Sequence, residues 1–134
     1  FQGSAGYADG EQRRDFVSVE DVVAVNLFLL ERPSISGIFN LGTGRCQSFN
    51  DVAISVINSL LRRDGEAEIS LQQAIESGII EYMPMPEALQ GKYQSYTEAN
   101  LERLRDIGYD RPFLSVEEGV GRYMEVLDQE PVDA

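Results

Sequence analysis

Residues 13–31 read RRDFVSVEDVVAVNLFLLE and carry the strongest structural signal in the chain. The pattern predicts a short strand over residues 16–19 that leads directly into a helix ending near Glu31. Ser18, followed three residues later by Asp21, resembles a capping box at the start of this helix. Because the helix is apolar all round, it must be covered on more than one side, and one small domain rarely supplies two such covers.

Capping signals downstream of this segment predict four further helices. They start after Ser48, Ser70, Thr97 and Ser115, and they end near Arg63, Ser77, Ile107 and Leu127. Two more short strands are predicted over residues 37–42 and 79–83, while residues 1–13 and 90–94 are predicted as loops. An acidic tail begins at Gln129. The chain is therefore assigned to the mixed α/β class. Because it has so few strands, it is expected to pack against another sheet.

Composition and charge limit the possible functions. The chain has 134 residues, enough for one domain, and its formal net charge of −12 disfavours nucleic acid as a partner. The absence of histidine excludes a His-based triad and any His-ligated metal, so no metal site is expected. The single cysteine, Cys46, excludes an internal disulfide and a thiolate zinc cluster. No apolar run is long enough to cross a bilayer, so no membrane partner is expected.

The first residue is Phe1 rather than methionine. We therefore expect a processed chain or a segment cut from a longer protein, and the opening FQG also resembles part of a tag-protease site. A segment of a longer protein would account for the apolar helix, because its second cover would then lie outside the chain.

The few cationic residues are the clearest candidates for binding a ligand. Arg14 ends a glycine-containing loop, and Lys92 precedes Tyr93 in another loop. Arginine suits bidentate contacts with phosphate, and a tyrosine stacks on a base or hydrogen-bonds a sugar. From composition alone, a salt bridge from Arg14 to Asp15 or Asp21 is the simpler interpretation, as is a partly buried loop position for the tyrosine.

Other motifs favour structural roles. Gly42-Thr43-Gly44 follows a predicted strand and precedes a helix, but it lacks the third glycine and the later acidic residue of a dinucleotide loop. Cys46 lies beside Arg45 with no histidine near it, so a structural thiol is favoured. Carboxylates fall mostly at helix starts and on exposed faces, and we assign no acid/base pair to them.

The order of the residues, more than their type, points to a family. Residues 13–23 and the run GIFNLGTG resemble the C-terminal half of extended short-chain dehydrogenase/reductase enzymes that act on sugar nucleotides. Within that superfamily the chain resembles the ADP-glyceromanno-heptose 6-epimerases most specifically, through the motifs FxGS, GEQRRDF, SGIFN, GKYQ and GYDxPF. These motifs begin at positions 1, 10, 36, 91 and 108, so the resemblance covers nearly the whole chain.

This resemblance implies the architecture and activity of a longer enzyme. Family members join an N-terminal NADP-binding Rossmann domain to a smaller C-terminal substrate domain, which residues 1–128 resemble, with 129–134 as the acidic tail. Residues 14–31 are expected to pack on the Rossmann domain, which is absent from this chain. Such an isomerase oxidises C6 of ADP-D-glycero-D-manno-heptose transiently with NADP⁺ and returns hydride to the opposite face. The product supplies the lipopolysaccharide core in the cytoplasm of Gram-negative bacteria, and a homo-oligomer is expected.

The resemblance also implies which residues bind the substrate, an ADP-heptose. They are the four residues of the opening loop and two residues further along the chain: Phe1, Gln2, Gly3, Ser4, Arg14 and Tyr93. The family often has an acidic residue at the position of Gln2. The cofactor-binding and catalytic residues are expected upstream of Phe1, with none in this chain, so the chain alone is expected to be inactive.

Two alternatives stand beside this interpretation. A standalone acidic interaction module of the same ancestry would use the apolar helix, residues 22–30, as its contact surface. A different sugar-nucleotide epimerase or dehydratase of the superfamily would share the general motifs but not the five specific ones.

Overall fold

The computed structural model describes residues 1–129 as a mixed α/β chain, which confirms the predicted class. In chain order the regular elements are β1 (Arg13–Arg14), α1 (Val19–Leu30), β2 (Gln47–Ser48), α2 (Phe49–Arg63), α3 (Leu71–Glu76), a single 3-10 turn (Glu87–Leu89), α4 (Glu102–Asp106) and α5 (Val116–Gln129). The two strands are antiparallel, with Arg13 opposite Ser48 and Arg14 opposite Gln47. A parallel bridge from Arg13 to Tyr96 adds a third segment to this small sheet.

The predicted capping boxes of α2, α3 and α5 are confirmed. At α2 the Ser48 backbone N–H donates to Asp51 Oδ2 at 2.8 Å, and the Asp51 N–H donates back to Ser48 Oγ at 3.0 Å. The same reciprocal pair joins Ser70 to Gln73, and it joins Ser115 to Glu118. Each pair satisfies two N–H groups that a helix start otherwise leaves unpaired, so these starts are defined locally by the sequence.

Helix α1 begins and ends close to its predicted limits, but its cap differs from the prediction. Ser18 Oγ accepts a hydrogen bond from the Glu20 N–H at 3.3 Å, whereas Asp21 does not return to the cap. Asp21 is only 2% exposed and accepts from the Leu114 N–H at 2.9 Å. This acidic residue therefore ties the helix to the segment before α5 instead of closing a capping box.

None of the three predicted strands forms. Residues 16–19, 37–42 and 79–83 have no regular strand pairing in the described chain, and Ile38 is 81% exposed. In the third segment, residues 79–83, the Met83 carbonyl accepts one hydrogen bond from the opening loop, from the Gln2 N–H at 2.9 Å. Apolar composition favours a strand only where a neighbouring strand is available to pair with it, and within residues 1–129 no strand pairs with these three segments.

Helix α4 is shorter than predicted, and it does not start at Thr97. The hydroxyl of Thr97 instead accepts from the Asp15 N–H at 3.4 Å, while Asn100 Oδ1 accepts from the Glu102 N–H at 2.9 Å. The helix ends at Asp106 with Ile107 as its C-cap, one residue before the predicted cap Gly108, whose φ of +88° is a conformation that glycine adopts without steric cost.

The core joins α1 to the segment around α4. Val25, Leu104 and Tyr109 are buried together, and Phe28, Leu29, Leu41, Leu101, Ile107 and Phe113 pack against them. Separately, α2 packs along α5. The outer face of α1 remains uncovered: Val19, Val23, Leu27 and Leu30 are exposed, the last by 76%.

Within residues 1–129 no helix combines the length and apolarity needed to span a bilayer. Of the predicted acidic tail, Gln129 is the last residue of α5 and the rest lies outside the described residues.

Candidate functional site

An arginine and four aromatic rings meet at the start of α2, in a group that we call the aromatic–arginine cluster: Phe1, Arg14, Phe16, Phe49 and Tyr93. The Arg14 guanidinium carbon lies 4.8 Å from the centre of the Tyr93 ring and 6.0 Å from that of Phe49. The Phe1 and Tyr93 rings meet edge to face at 5.8 Å, and the Phe16 and Phe49 rings do so at 5.3 Å. Three of the six predicted substrate residues are therefore adjacent in space, although they lie far apart in the sequence.

The guanidinium of Arg14 is not neutralised by a carboxylate in the described part of the chain. Its one recorded hydrogen bond runs from Nη1 to the Arg13 carbonyl at 2.8 Å, and the salt bridges of residues 1–129 do not include it. A guanidinium has five N–H donors, so most of them remain available. The simpler interpretation, a salt bridge to Asp15 or Asp21, is therefore wrong.

Asp15 is engaged by backbone and hydroxyl donors instead. Its Oδ1 accepts from the N–H and the hydroxyl of Thr43, each at 2.6 Å, and its Oδ2 accepts from the N–H groups of Gly44 and Ala99, each at 2.9 Å. A Cβ on Gly42 would lie 2.5 Å from Asp15 Oδ2. These bonds use the turn amides that a phosphate would need, so the turn is structural, as its sequence indicated.

The opening loop is folded against the rest of the chain. The Gln2 N–H donates to the Met83 carbonyl and the Gly10 N–H donates to the Phe1 carbonyl, both at 2.9 Å. The Gly3 N–H donates to Asp9 Oδ1 at 2.6 Å, and the Ser4 carbonyl accepts from the Tyr7 N–H at 3.1 Å. Hence residues 1–4 belong to a loop whose shape is set by hydrogen bonds, and this loop reaches the cluster through the ring contact of Phe1 with Tyr93.

Asn50, a residue that the sequence did not single out, fastens this loop to α2. Its side-chain N–H₂ donates to the Asp9 carbonyl at 2.9 Å and to Glu11 Oε1 at 2.7 Å, while its Oδ1 accepts from the Tyr82 hydroxyl at 2.9 Å. Burial raises the pKa of Tyr82, an effect that its bond to Asn50 opposes and the nearby carboxylates reinforce. No local pattern marks Asn50, because its partners come from two segments that are distant in the sequence, the opening loop and the segment that contains Tyr82.

The remaining candidates do not join the cluster through any recorded contact. Arg45 donates to Gln47 Oε1 at 3.5 Å, and Lys92 is exposed. Cys46 is half-buried near Tyr96. The pKa of Tyr96 is raised, mainly because its hydroxyl donates to Glu98 at 2.6 Å and also because of Cys46. No group of three or more metal-ligating side chains is placed to hold an ion among residues 1–129.

A cavity of about 340 Å³ lies between α2 and α5, away from the predicted substrate residues. Arg62 and Arg63 line it, but Arg62 pairs with Glu68 at 2.6 Å and Arg63 pairs with both Asp64 and Asp128. These pairings satisfy the cations of the cavity. It therefore competes poorly with the aromatic–arginine cluster as a site for an anionic ligand.

Comparisons with known proteins show which class of protein the chain resembles, and then which particular relative. Residues 4–42, which contain Arg14 and end at Gly42, match the NAD dependent epimerase/dehydratase family. A solved NAD dependent NDP-hexosamine 5,6-dehydratase, TunA, involved in tunicamycin biosynthesis, is similar in structure with a TM-score of 0.60 and 28% identity, covering 94% of this chain and 35% of that one. The chain is therefore similar to these epimerases and dehydratases.

More particularly, the chain is 57% identical over 129 residues to the ADP-L-glycero-D-manno-heptose-6-epimerase of Thiobacillus denitrificans. The match covers 96% of this chain and 39% of the relative, so the chain spans about two-fifths of that protein's length. The resemblance to the ADP-heptose 6-epimerases is confirmed. The alternative, a standalone acidic interaction module of the same ancestry, is not favoured by these comparisons.

Proposed function

We propose that this chain is the substrate-binding part of an NADP-dependent epimerase that inverts C6 of the heptose in ADP-D-glycero-D-manno-heptose. The observation that carries the proposal is the Arg14 guanidinium, stacked on Tyr93 and without a carboxylate partner among the described residues. The 57% identity to an ADP-L-glycero-D-manno-heptose-6-epimerase supports the choice of substrate. The identity to a hexosamine dehydratase is lower, at 28%, and this disfavours a dehydratase reaction.

In this proposal Arg14 binds the diphosphate that links the nucleoside to the heptose. Its planar donors match phosphate oxygens in a bidentate arrangement, and the charge complements that of the ligand. Tyr93 holds the guanidinium by its ring face and leaves its hydroxyl to meet the ligand. Phe1 packs on Tyr93 and begins the loop that also carries Gln2, Gly3 and Ser4, which would line the sugar-nucleotide pocket.

Within residues 1–129, the turn that most resembles a dinucleotide loop, residues 42–44, does not fit the cofactor. The N–H groups of Thr43 and Gly44 are bound by Asp15, so they are not available to a pyrophosphate. We therefore assign NADP to an N-terminal Rossmann domain of a longer protein, together with the catalytic residues. The exposed face of α1 would pack on that domain. The proposed parent is a homo-oligomeric cytoplasmic enzyme that serves lipopolysaccharide core synthesis in a Gram-negative bacterium.

The test uses the longer protein that contains this chain. It should convert ADP-D-glycero-D-manno-heptose to the L-glycero epimer, detected by separation of the two epimers, and Arg14→Ala should lower kcat/KM by roughly 10- to 100-fold. Arg32→Ala is the matched control, because Arg32 also lies over an aromatic ring, that of Phe28 at 4.0 Å, but away from the cluster. A longer protein that leaves this substrate unchanged would refute the proposal.

A second measurement addresses the chain by itself. Because the proposed cofactor site lies outside it, the 134-residue chain should show no tight NADP binding, no epimerisation and at most weak ADP-sugar binding. Stoichiometric, tight binding of NADP to the purified chain would contradict the assignment of the cofactor to another domain. A panel of sugar nucleotides tested on the longer protein would separate the heptose epimerase from other members of the superfamily.

A further inference from the structure

Phe49 is the first residue of α2, and its position is fixed more firmly than those of its neighbours in the aromatic–arginine cluster. The capping box of Ser48 and Asp51 sets the backbone at this point, and the Phe49 N–H donates to the Gln12 carbonyl at 3.3 Å. Its ring rests against that of Phe16. By contrast, Tyr93 lies in an irregular loop and Arg14 lies in a two-residue strand.

The Arg14 guanidinium lies near two rings at once, those of Tyr93 and Phe49, whose centres are 6.5 Å apart with a tilt of 39°. A ring face attracts a guanidinium and limits its orientation. Unlike a carboxylate partner, the ring does not neutralise the positive charge. The arrangement holds the cation in place while its charge remains available for an anion.

We infer that Phe49 is a positioning residue of the substrate site, which orients Arg14 and Tyr93 for binding the diphosphate of the ligand. This inference rests on the proposed function and adds a residue to it. The sequence did not indicate Phe49, since at a helix start after a capping serine it is indistinguishable from an ordinary buried aromatic. Only its distances to Arg14 and Tyr93 assign the role.

The test is ADP binding by the longer protein with NADP⁺ in saturating excess, so that the cofactor site is filled. Phe49→Leu keeps an apolar side chain of similar volume and removes the ring, and it should raise the Kd for ADP by about 3- to 10-fold. Phe49→Tyr keeps the ring and should bind within about 2-fold of the wild type. In an Arg14→Ala background Phe49→Leu should add less than about 2-fold, because the two residues act through one contact.

The matched control is Phe28→Leu, which removes a ring that also lies under an arginine, Arg32, but in the core beside Tyr109. Like Phe49→Leu, it should lower the free energy of unfolding, but it should leave the Kd for ADP unchanged. In the epimerase assay Phe49→Leu should raise KM for the sugar nucleotide while kcat changes by less than about 2-fold.

The outcomes separate the two proposals. Unchanged ADP binding by Phe49→Leu, or an equal loss in Phe28→Leu, would overturn the role of Phe49, as would full additivity with Arg14→Ala. If the wild type does not epimerise ADP-heptose but the ADP-binding differences hold, the proposed function fails and the role of Phe49 stands. A wild type that does not bind ADP at all would overturn both.

Discussion

Helices α1 and α2 begin with similar signals, a serine cap followed by an acidic residue, yet they are held in different ways. Helix α2 closes a reciprocal capping box and lays its apolar stripe along α5. Helix α1 lacks the reciprocal cap, is anchored by Asp21 and Val25, and leaves an apolar face to solvent. The difference teaches that a helix with one apolar stripe finds its cover within this chain, whereas an apolar helix needs a second cover from elsewhere.

The largest expected effect concerns association of the chain. Because α1 exposes four large apolar side chains, we expect the isolated chain to self-associate or to leave α1 weakly protected. Where it self-associates, replacing Leu27 and Leu30 together by lysine should return it to a monomer in analytical ultracentrifugation. A wild-type chain that is strictly monomeric, with α1 amides strongly protected from hydrogen exchange, would remove the contrast between the two helices.

The next effect compares one substitution at two depths. Leu104 is 1% exposed beside Val25 of α1, whereas Leu27, on the outer face of α1, is 53% exposed. Leu104→Ala should lower the free energy of unfolding by about 2–5 kcal/mol, and Leu27→Ala by less than about 1 kcal/mol. Urea denaturation of both variants measures this. Equal losses would mean that the outer face of α1 is already covered in the isolated chain.

A third test concerns the polar anchoring before α1. Asp15 accepts four hydrogen bonds from Thr43, Gly44 and Ala99, two on each carboxylate oxygen. In Asp15→Asn an NH₂ group replaces one of these oxygens, so it cannot accept from the N–H or O–H groups that point at it. We expect a loss of roughly 1.5–3 kcal/mol in the free energy of unfolding. Asp110→Asn is the control, because that carboxylate is exposed. A similar small change in both variants would show that Asp15 does not hold these segments.

The caps themselves supply a smaller effect. Ser48→Ala removes one half of a reciprocal pair at α2 and should cost about 1 kcal/mol. Ser18→Ala removes a single bond of 3.3 Å at α1 and should cost about 0.5 kcal/mol. Thermal denaturation of both variants checks the order. If Ser18→Ala were the costlier change, the cap of α1 would be stronger than its geometry indicates.

The smallest effect is the acid dependence of the link from β2 to α5. Partial burial raises the pKa of Glu117, but hydrogen bonds from its own backbone, Ser115 and Gln47, with the charge of Arg45, bring it below its ordinary value of 4.5. The stabilisation is therefore complete above about pH 4.5 and is lost as the pH falls through the lowered pKa. When the pH falls from 7 to 3, the free energy of unfolding of Glu117→Gln should decrease by roughly 0.5 kcal/mol less than that of the wild type, as measured by urea denaturation. Equal decreases would contradict a stabilising role for the Glu117 carboxylate.

Local signals predicted helices well and strands poorly. The starts of α2, α3 and α5 follow from serine caps with their third-position partners, because such a cap involves only neighbouring residues. Residues 37–42 and 79–83 have the composition of strands, but a strand is completed only by a partner, and the described chain offers none. Asp21 and Thr97 were predicted as local caps, yet both serve contacts distant in the sequence.

The candidate site divides in the same way. Arg14 and Tyr93 were found from motifs, and the structure places them 4.8 Å apart, measured from the guanidinium carbon to the ring centre. Phe49 and Asn50 were missed, because a phenylalanine and an asparagine at a helix start carry no pattern that distinguishes support of a site from ordinary packing. Their partners, Tyr93 and Tyr82, lie more than thirty residues further along the chain.

The sequence by itself determined the family resemblance, the mixed α/β class and the starts of α2, α3 and α5, since motifs and caps are properties of residues close together in the chain. Tertiary structure alone decided that Arg14 keeps its charge available, because that depends on whether Asp15 and Asp21 bind other partners. It alone brought Phe49 beside Arg14 and left one face of α1 bare. Such facts depend on which distant groups compete for the same contacts, and only the folded chain resolves that competition.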